Sequence, residues 1–104
     1  MTKFEIYLPL KYNDGTEIET KKLKEIQQQL IAVFEAMTLS SLSAPLQGKW
    51  RYGGVEYIDD IVRIDIIARE DWDSIQFFKN FKRRLKRNLR QLDILITLQY
   101  VHTI

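Results

Sequence analysis

LQGKWRYGGVEYIDDIVRIDIIARE, residues 46–70, holds two runs of β-branched and aromatic residues on either side of Gly53-Gly54. Paired glycines accept the positive φ angles that a tight hairpin demands, so the spacing predicts two antiparallel strands folded back on each other. In the second and longer run, Val62, Ile64, Ile66 and Ala68 alternate with Ile61, Arg63, Asp65, Ile67 and Arg69. That period of two gives one apolar side and one mixed side. The adjacent acids Asp59 and Asp60 interrupt the alternation and predict a bulge. The pattern does not set the direction of Trp50 and Tyr52, which are read as core or hairpin cover.

Working outward, the polar segment TLSSLSAP (38–45) reads as a loop. Before it, Leu23, Ile26, Leu30, Val33 and Met37 recur every three or four residues from Thr20 to Met37, with Ile31 and Phe34 widening the stripe. Only a helix places that spacing on one side. Its start is signalled twice, by Thr16 with Glu19 as a capping box and by Thr20 as a lone cap. Near the beginning of the chain, Phe4, Ile6, Leu8 and Leu10 alternate with Lys3, Glu5, Tyr7 and Pro9, a strand that Pro9 ends or confines to an edge. The turn residues YNDGT (12–16) follow.

After the hairpin, Phe78, Phe81, Leu85, Leu89 and Leu92 mark a second helix from Asp71 or Asp73 to Gln91, with acids in its first turn where the helix dipole favours them. The last strand is DILITLQYV (93–101), with Ile94, Ile96, Leu98 and Tyr100 on one face. The order βαββαβ predicts an α+β, ferredoxin-like sandwich, a single domain over residues 1–104. It has a four-stranded antiparallel sheet with two helices on one face. This superfold hosts many activities and names none of them.

At 104 residues, 45 % hydrophobic and 29 % charged, the composition is that of an ordinary soluble domain. Cysteine is absent, which excludes disulfides, thiolate metal sites and a cysteine nucleophile. Glu5 interrupts the first apolar run as no signal-peptide core would, and no run approaches membrane-spanning length, so a cytoplasmic protein without membrane contact is expected. The net charge of +2 hides an asymmetry. Residues 1–73 carry nine basic and thirteen acidic side chains, residues 74–104 seven and one.

Most of that excess lies in KNFKRRLKRNLRQ (79–91). On a helical wheel Lys79, Arg83, Lys86, Arg87 and Arg90 fall in an arc of about 100° beside the apolar stripe. Such an arc is either a solvated face balanced by acids such as Glu25 and Glu35 on the first helix, or a contact for phosphates or an acidic partner. The outer sheet face is the second candidate surface, built of Tyr7, Ile61, Arg63, Asp65, Ile67, Leu95, Thr97 and Val101. With Ile61, Ile67, Leu95 and Val101 read as neighbours, this face predicts a homodimer. Its central strand lacks the aromatics of RNA-recognition sheets.

No catalytic, cofactor or metal motif stands out. His102 lies on a strand tail, Ser40, Ser41 and Ser43 lack nucleophile-elbow glycines, and Asp59, Asp60 and Asp65 read as strand and bulge acids rather than ligands. The sequence thus reads as a small non-enzymatic domain acting by self-association or by docking a protein partner, with no cofactor. Two alternatives stand beside it: nonspecific nucleic-acid binding through the second helix, and a small dimeric enzyme with a pocket at the sheet face.

Overall fold

The computed structural model describes all residues except Ser41, Ser43 and Glu70. Its elements are β1 (Thr2–Pro9), α1 (Thr20–Phe34), β2 (Thr38–Leu39), β3 (Leu46–Tyr52), β4 (Val55–Ala68), α2 (Trp72–Asn88) and β5 (Ile96–Tyr100). The architecture is α+β and ferredoxin-like, with all strand pairs antiparallel in the order β5-β1-β4-β2 and β3 also paired to β4. It has five strands rather than the expected four, because the edge strand is divided. β2 pairs with Ile64 and Asp65, whereas β3 pairs with residues 55–61. The first half of β4 and all of β3 therefore project as a two-stranded arm, turned at Gly53 and Gly54 with φ of +58° and +80°.

No bulge forms at Asp59-Asp60. The ladder with β3 runs without interruption from Tyr52↔Val55 to Leu46↔Ile61, and the ladder with β1 continues it from Pro9↔Ile61 to Thr2↔Ala68. Two consecutive acids are accommodated because they point to opposite faces. Asp59 accepts the Trp50 indole N–H at 2.6 Å, and Asp60 lies 3.9 Å from Lys11 Nζ.

The inner face of the sheet carries Phe4, Ile6 and Leu8 from β1 and Val62, Ile64, Ile66 and Ala68 from β4, all buried. Against them pack Ile26 and Leu30 of α1 and Phe78, Phe81 and Leu85 of α2, in one hydrophobic cluster. Phe78 stands at its centre, stacked on Phe4 at 4.2 Å between ring centroids and on Phe34 at 5.2 Å. The cluster stops short of the β5 edge, where Leu98 and Tyr100 share the inner face with buried Ile94 yet are exposed.

Three boundaries differ from expectation. Neither Thr16 nor Thr20 caps α1. Thr16 instead turns back on Asp14, its amide and hydroxyl donating to Oδ1 at 2.9 and 2.6 Å, and the N-cap is Glu19 with no side-chain cap bond. The first helix also closes early, at Phe34, where Glu35 adopts a left-handed φ of +67°. α2 begins as expected, with the Asp71 carboxylate accepting from Ser74 N at 2.7 Å, but ends at Asn88 rather than Gln91. There Arg90 takes φ +51° and the amides of Arg90 and Gln91 reach back to the carbonyls of Arg87 and Lys86, a Schellman closure.

Truncating Phe81, which is 1 % exposed and faces the centre of the cluster, removes a ring that no neighbour can replace. Phe81→Ala is expected to cost about 3–5 kcal/mol in urea unfolding, while Ile31→Ala on the outside of α1 costs less than about 0.5 kcal/mol.

Candidate functional site

The outer sheet face is charged at its centre. β1 lies between β4 and β5, so Ile61 and Ile67 of β4 do not adjoin Leu95 and Val101, and the contiguous apolar patch expected from the sequence does not form. Side chains of β1 fill the space between. Lys3 Nζ stands 3.3 Å from Glu5 and 3.6 Å from Asp65, and Arg63 meets Asp65 through two guanidinium nitrogens at 2.9 and 3.3 Å. Thr97 Oγ1 adds a contact of 3.5 Å to Glu5. Of the expected face residues, Tyr7, Arg63, Asp65 and Thr97 thus belong to one polar network, with Ile67 exposed beside Lys3 and Leu95 beside Tyr7.

Within that network the Tyr7 hydroxyl donates to Glu5 Oε2 at 2.6 Å. This bond holds the Glu5 carboxyl below the usual range and raises the Tyr7 phenol above its own. Both shifts favour the pair as carboxylate and neutral phenol, and Tyr7 is thereby fixed in orientation.

Tyr7 also lines a pocket of about 320 Å³ at one end of the same face. Tyr7, Pro9 and Ile61 come from the body of the sheet, Gly48, Trp50 and Asp59 from the base of the arm, and Asp93 and Leu95 from the connection between α2 and β5. The arm's register produces this wall. Trp50 pairs with Tyr57 and Gly48 with Asp59, so the odd positions of β4 and the even positions of β3 share the outer face. That settles Trp50 and Tyr52 as hairpin cover. Trp50 stacks on Tyr57 at 4.5 Å, while Tyr52 is 57 % exposed at the tip.

Lys49 and Gln91 also line the pocket, and its two carboxylates are anchored. Asp59 is tied to the Trp50 indole, and Asp93 to Lys82 at 3.2 Å and to the Ile94 amide at 2.9 Å. Gly48 leaves the wall open, since a Cβ there would meet nothing closer than Ile61 Cδ1 at 3.6 Å. The result is a concave site with an aromatic wall and an aliphatic floor, in which the Asp59 carboxylate, the Lys82-paired Asp93 and Lys49 supply charge of both signs, suited to a ligand with a flat ring and polar or charged substituents. Ile61, Tyr7 and Leu95 were expected here as dimer contacts. Trp50 was read as core or hairpin cover, Asp59 as a bulge acid and Asp93 as the start of the last strand; none was read as a pocket residue, because the loop after α2 meets the arm through tertiary packing alone.

The basic helix stands apart from this site. Lys79, Arg83, Lys86 and Arg87 share one side of α2, but Arg90 leaves the arc because the helix has already ended. Its guanidinium lies 5.2 Å above the Tyr12 ring, with Lys22 Nζ 5.3 Å from the same ring. The balancing acids are also missing. Glu25 pairs with Lys21, and among the described residues no ion pair reaches Lys79, Arg83, Lys86 or Arg87. Three like-charge i,i+4 pairs (Lys79/Arg83, Lys82/Lys86, Arg83/Arg87) together cost about 1 kcal/mol.

Other candidates disperse. Among the described residues no group of three His, Asp or Glu side chains could hold a metal ion. Asp59, Asp60 and Asp65 occupy separate pairs. Ser40 Oγ accepts from the Arg63 amide at 2.8 Å, Ser41 and Ser43 lie outside the described residues, and His102 is exposed. No described helix is long and apolar enough to cross a membrane.

No family model and no curated protein sequence matches the chain. Among solved structures it is similar to a phage SAM lyase in complex with S-methyl-5'-thioadenosine, at TM-score 0.68 and 14 % identity, and to a phage SAM lyase in the apo state, at 0.65 and 15 %. Each match covers 94 % of this chain and 79 % and 78 % of those chains respectively. At such identity the likeness shows the fold alone. In those proteins the same architecture, matched over nearly the whole length of this chain, is that of an enzyme, which corrects the expectation that the pattern of the chain marks a non-enzymatic domain.

The Tyr7–Glu5 bond has a measurable signature in stability. The lowered carboxyl contributes stability above its unfolded pKa of about 4.3 that is lost as pH falls through the folded value; the raised phenol contributes below about 10 and is lost as pH rises through its own. Tyr7→Phe should therefore lower stability by about 1 kcal/mol at neutral pH and flatten both limbs of the profile measured by urea unfolding. An unchanged acid limb would show that the bond is not formed.

Proposed function

We propose that this protein is a small enzyme whose outer-face pocket takes a sulfonium nucleoside of the S-adenosylmethionine class. The observation that carries the reading is the pocket, lined by Trp50, by the Asp59 carboxylate that holds its indole, and by Asp93, with aliphatic Pro9, Ile61 and Leu95 between the arm and the sheet. A purine stacks on an indole, and a sulfonium is attracted both to carboxylates and to the face of an aromatic ring. The likeness in fold to a SAM lyase supports the same class of ligand.

In this reading Trp50 orients the base, Asp59 holds Trp50 and faces the positive charge, and Tyr7 closes the inner end. The reaction is cleavage of a carbon–sulfur bond. As the carboxylate oxygen of the substrate's own amino-acid end attacks the carbon bound to sulfur, the C–S bond breaks with both electrons going to sulfur and a C–O bond closes a lactone. The neutral thioether S-methyl-5'-thioadenosine leaves, the ammonium stays on the lactone, and no proton or co-reactant is required. Exclusion of water by the aromatic wall strengthens the charge interactions on which binding depends. A cytoplasmic location accords with such a substrate.

Incubation with S-adenosylmethionine should release S-methyl-5'-thioadenosine, detected by chromatography, and should quench Trp50 fluorescence in a Trp72→Phe background. Gly48→Val fills the pocket without a backbone clash and should weaken the quench at least tenfold while leaving the fold intact. Absence of both release and quench at millimolar nucleoside would defeat the reading.

A homodimer built on the outer face belongs to the same proposal, since Tyr7, Ile61 and Leu95 both line the pocket and were expected at the contact. A second copy there would wall the open side of the site. Sedimentation is then expected to give twice the 12.4 kDa of one chain, and Ile61→Lys with Leu95→Lys to give a monomer with reduced nucleoside binding. A wild type that sediments as a monomer with full binding would remove the dimer and keep the pocket.

A further inference from the structure

The outward side of α2 is a second surface, lying across the sheet from the pocket. Lys79, Arg83 and Arg87 are exposed and Lys86 is half-exposed, in a helix whose only acid is Asp73 in its first turn. Pocket-side acids do not reach it, and the α1 acids lie on its other flank. Arg84 and Asn88, not the arc, line the groove shared with Glu25 and Gln29 of α1. Repulsion among these cations is left standing in the free protein.

We propose that this face binds the phosphodiester backbone of nucleic acid, through Lys79, Arg83, Lys86 and Arg87 and without base specificity. Charge and shape select this occupant over other anions. The four cations span nine residues of helix, a rise of about 12 Å, along which duplex DNA presents about seven phosphates. An anionic membrane is less suited, because the apolar stripe that would enter it, Phe78, Phe81 and Leu85, is already buried in the core. An acidic protein is less suited because no exposed apolar or aromatic anchor lies between Lys79 and Arg87, the exposed Trp72 of the same side standing two turns before Lys79.

The test is fluorescence anisotropy with labelled duplexes of about 20 base pairs and two unrelated sequences, titrated at several salt concentrations. Binding in the micromolar to hundred-micromolar range is expected at about 50 mM salt, equal for both sequences, with a logarithmic salt slope of about −3. Arg83→Gln with Arg87→Gln should reduce the slope by up to about 2, whereas Lys21→Gln with Lys24→Gln, an equal loss of charge on α1, should leave it unchanged. Circular dichroism and urea unfolding verify that both variants are folded. Absence of duplex binding at that salt overturns the proposal, whether or not the protein sediments with phosphatidylserine vesicles. So does an equal loss of slope in the α1 variant, which would mean that net charge alone is read. Gly48→Val retains duplex binding if this face acts independently of the pocket.

Discussion

Eight consecutive antiparallel pairs between β1 and β4, from Thr2↔Ala68 to Pro9↔Ile61, are the constraint on which everything else in this fold rests. Side chains alternate across a strand, so this one register commits Phe4, Ile6 and Leu8 together with Val62, Ile64, Ile66 and Ala68 to the same side. A slip of one residue would exchange them for Lys3, Glu5, Tyr7, Arg63 and Asp65. The helices can then cover only one face, and Phe78, stacked on Phe4, fixes where α2 crosses it.

The same register assembles the outer face. Charges that the alternation puts there lie beside one another across the ladder, so Lys3, Glu5, Arg63 and Asp65 neutralise each other locally rather than awaiting a partner. Their half-buried network stiffens Tyr7. The concavity develops where the sheet ends, between the projecting arm and the connection from α2 to β5, because neither segment lies flat on the sheet. The pocket thus lies at the periphery of a charge-paired centre.

α2 has divided duties. Its apolar stripe is consumed by the core, Lys82 at the stripe's edge ties down Asp93 at the pocket rim, and the outward arc keeps its charge unpaired by acids among the described residues. The Schellman closure at Arg90 separates the two ends of the basic segment. One arginine goes to the Tyr12 ring, and four cations remain on the open side.

Local pattern determined much of this protein: the hairpin at Gly53-Gly54, both helices, the inner and outer residues of β1 and β4, and the basic arc from Lys79 to Arg87. Periods of two and of 3.6 are properties of a few consecutive residues, and a strand or helix inherits them wherever it is placed. The bulge assigned to Asp59-Asp60 was a local inference that failed, since two acids on opposite faces need no extra residue once Trp50 and Lys11 receive them. Tertiary structure alone decided the rest. Strand order set β1 between β4 and β5 and broke the apolar patch, and chain closure at Glu35 and Arg90 shortened both helices. Packing of the α2–β5 connection against the arm brought Asp93 within one pocket of Trp50 and Asp59. Residues more than thirty positions apart meet only when the core has chosen the strand order, and no alternation along the chain carries that choice.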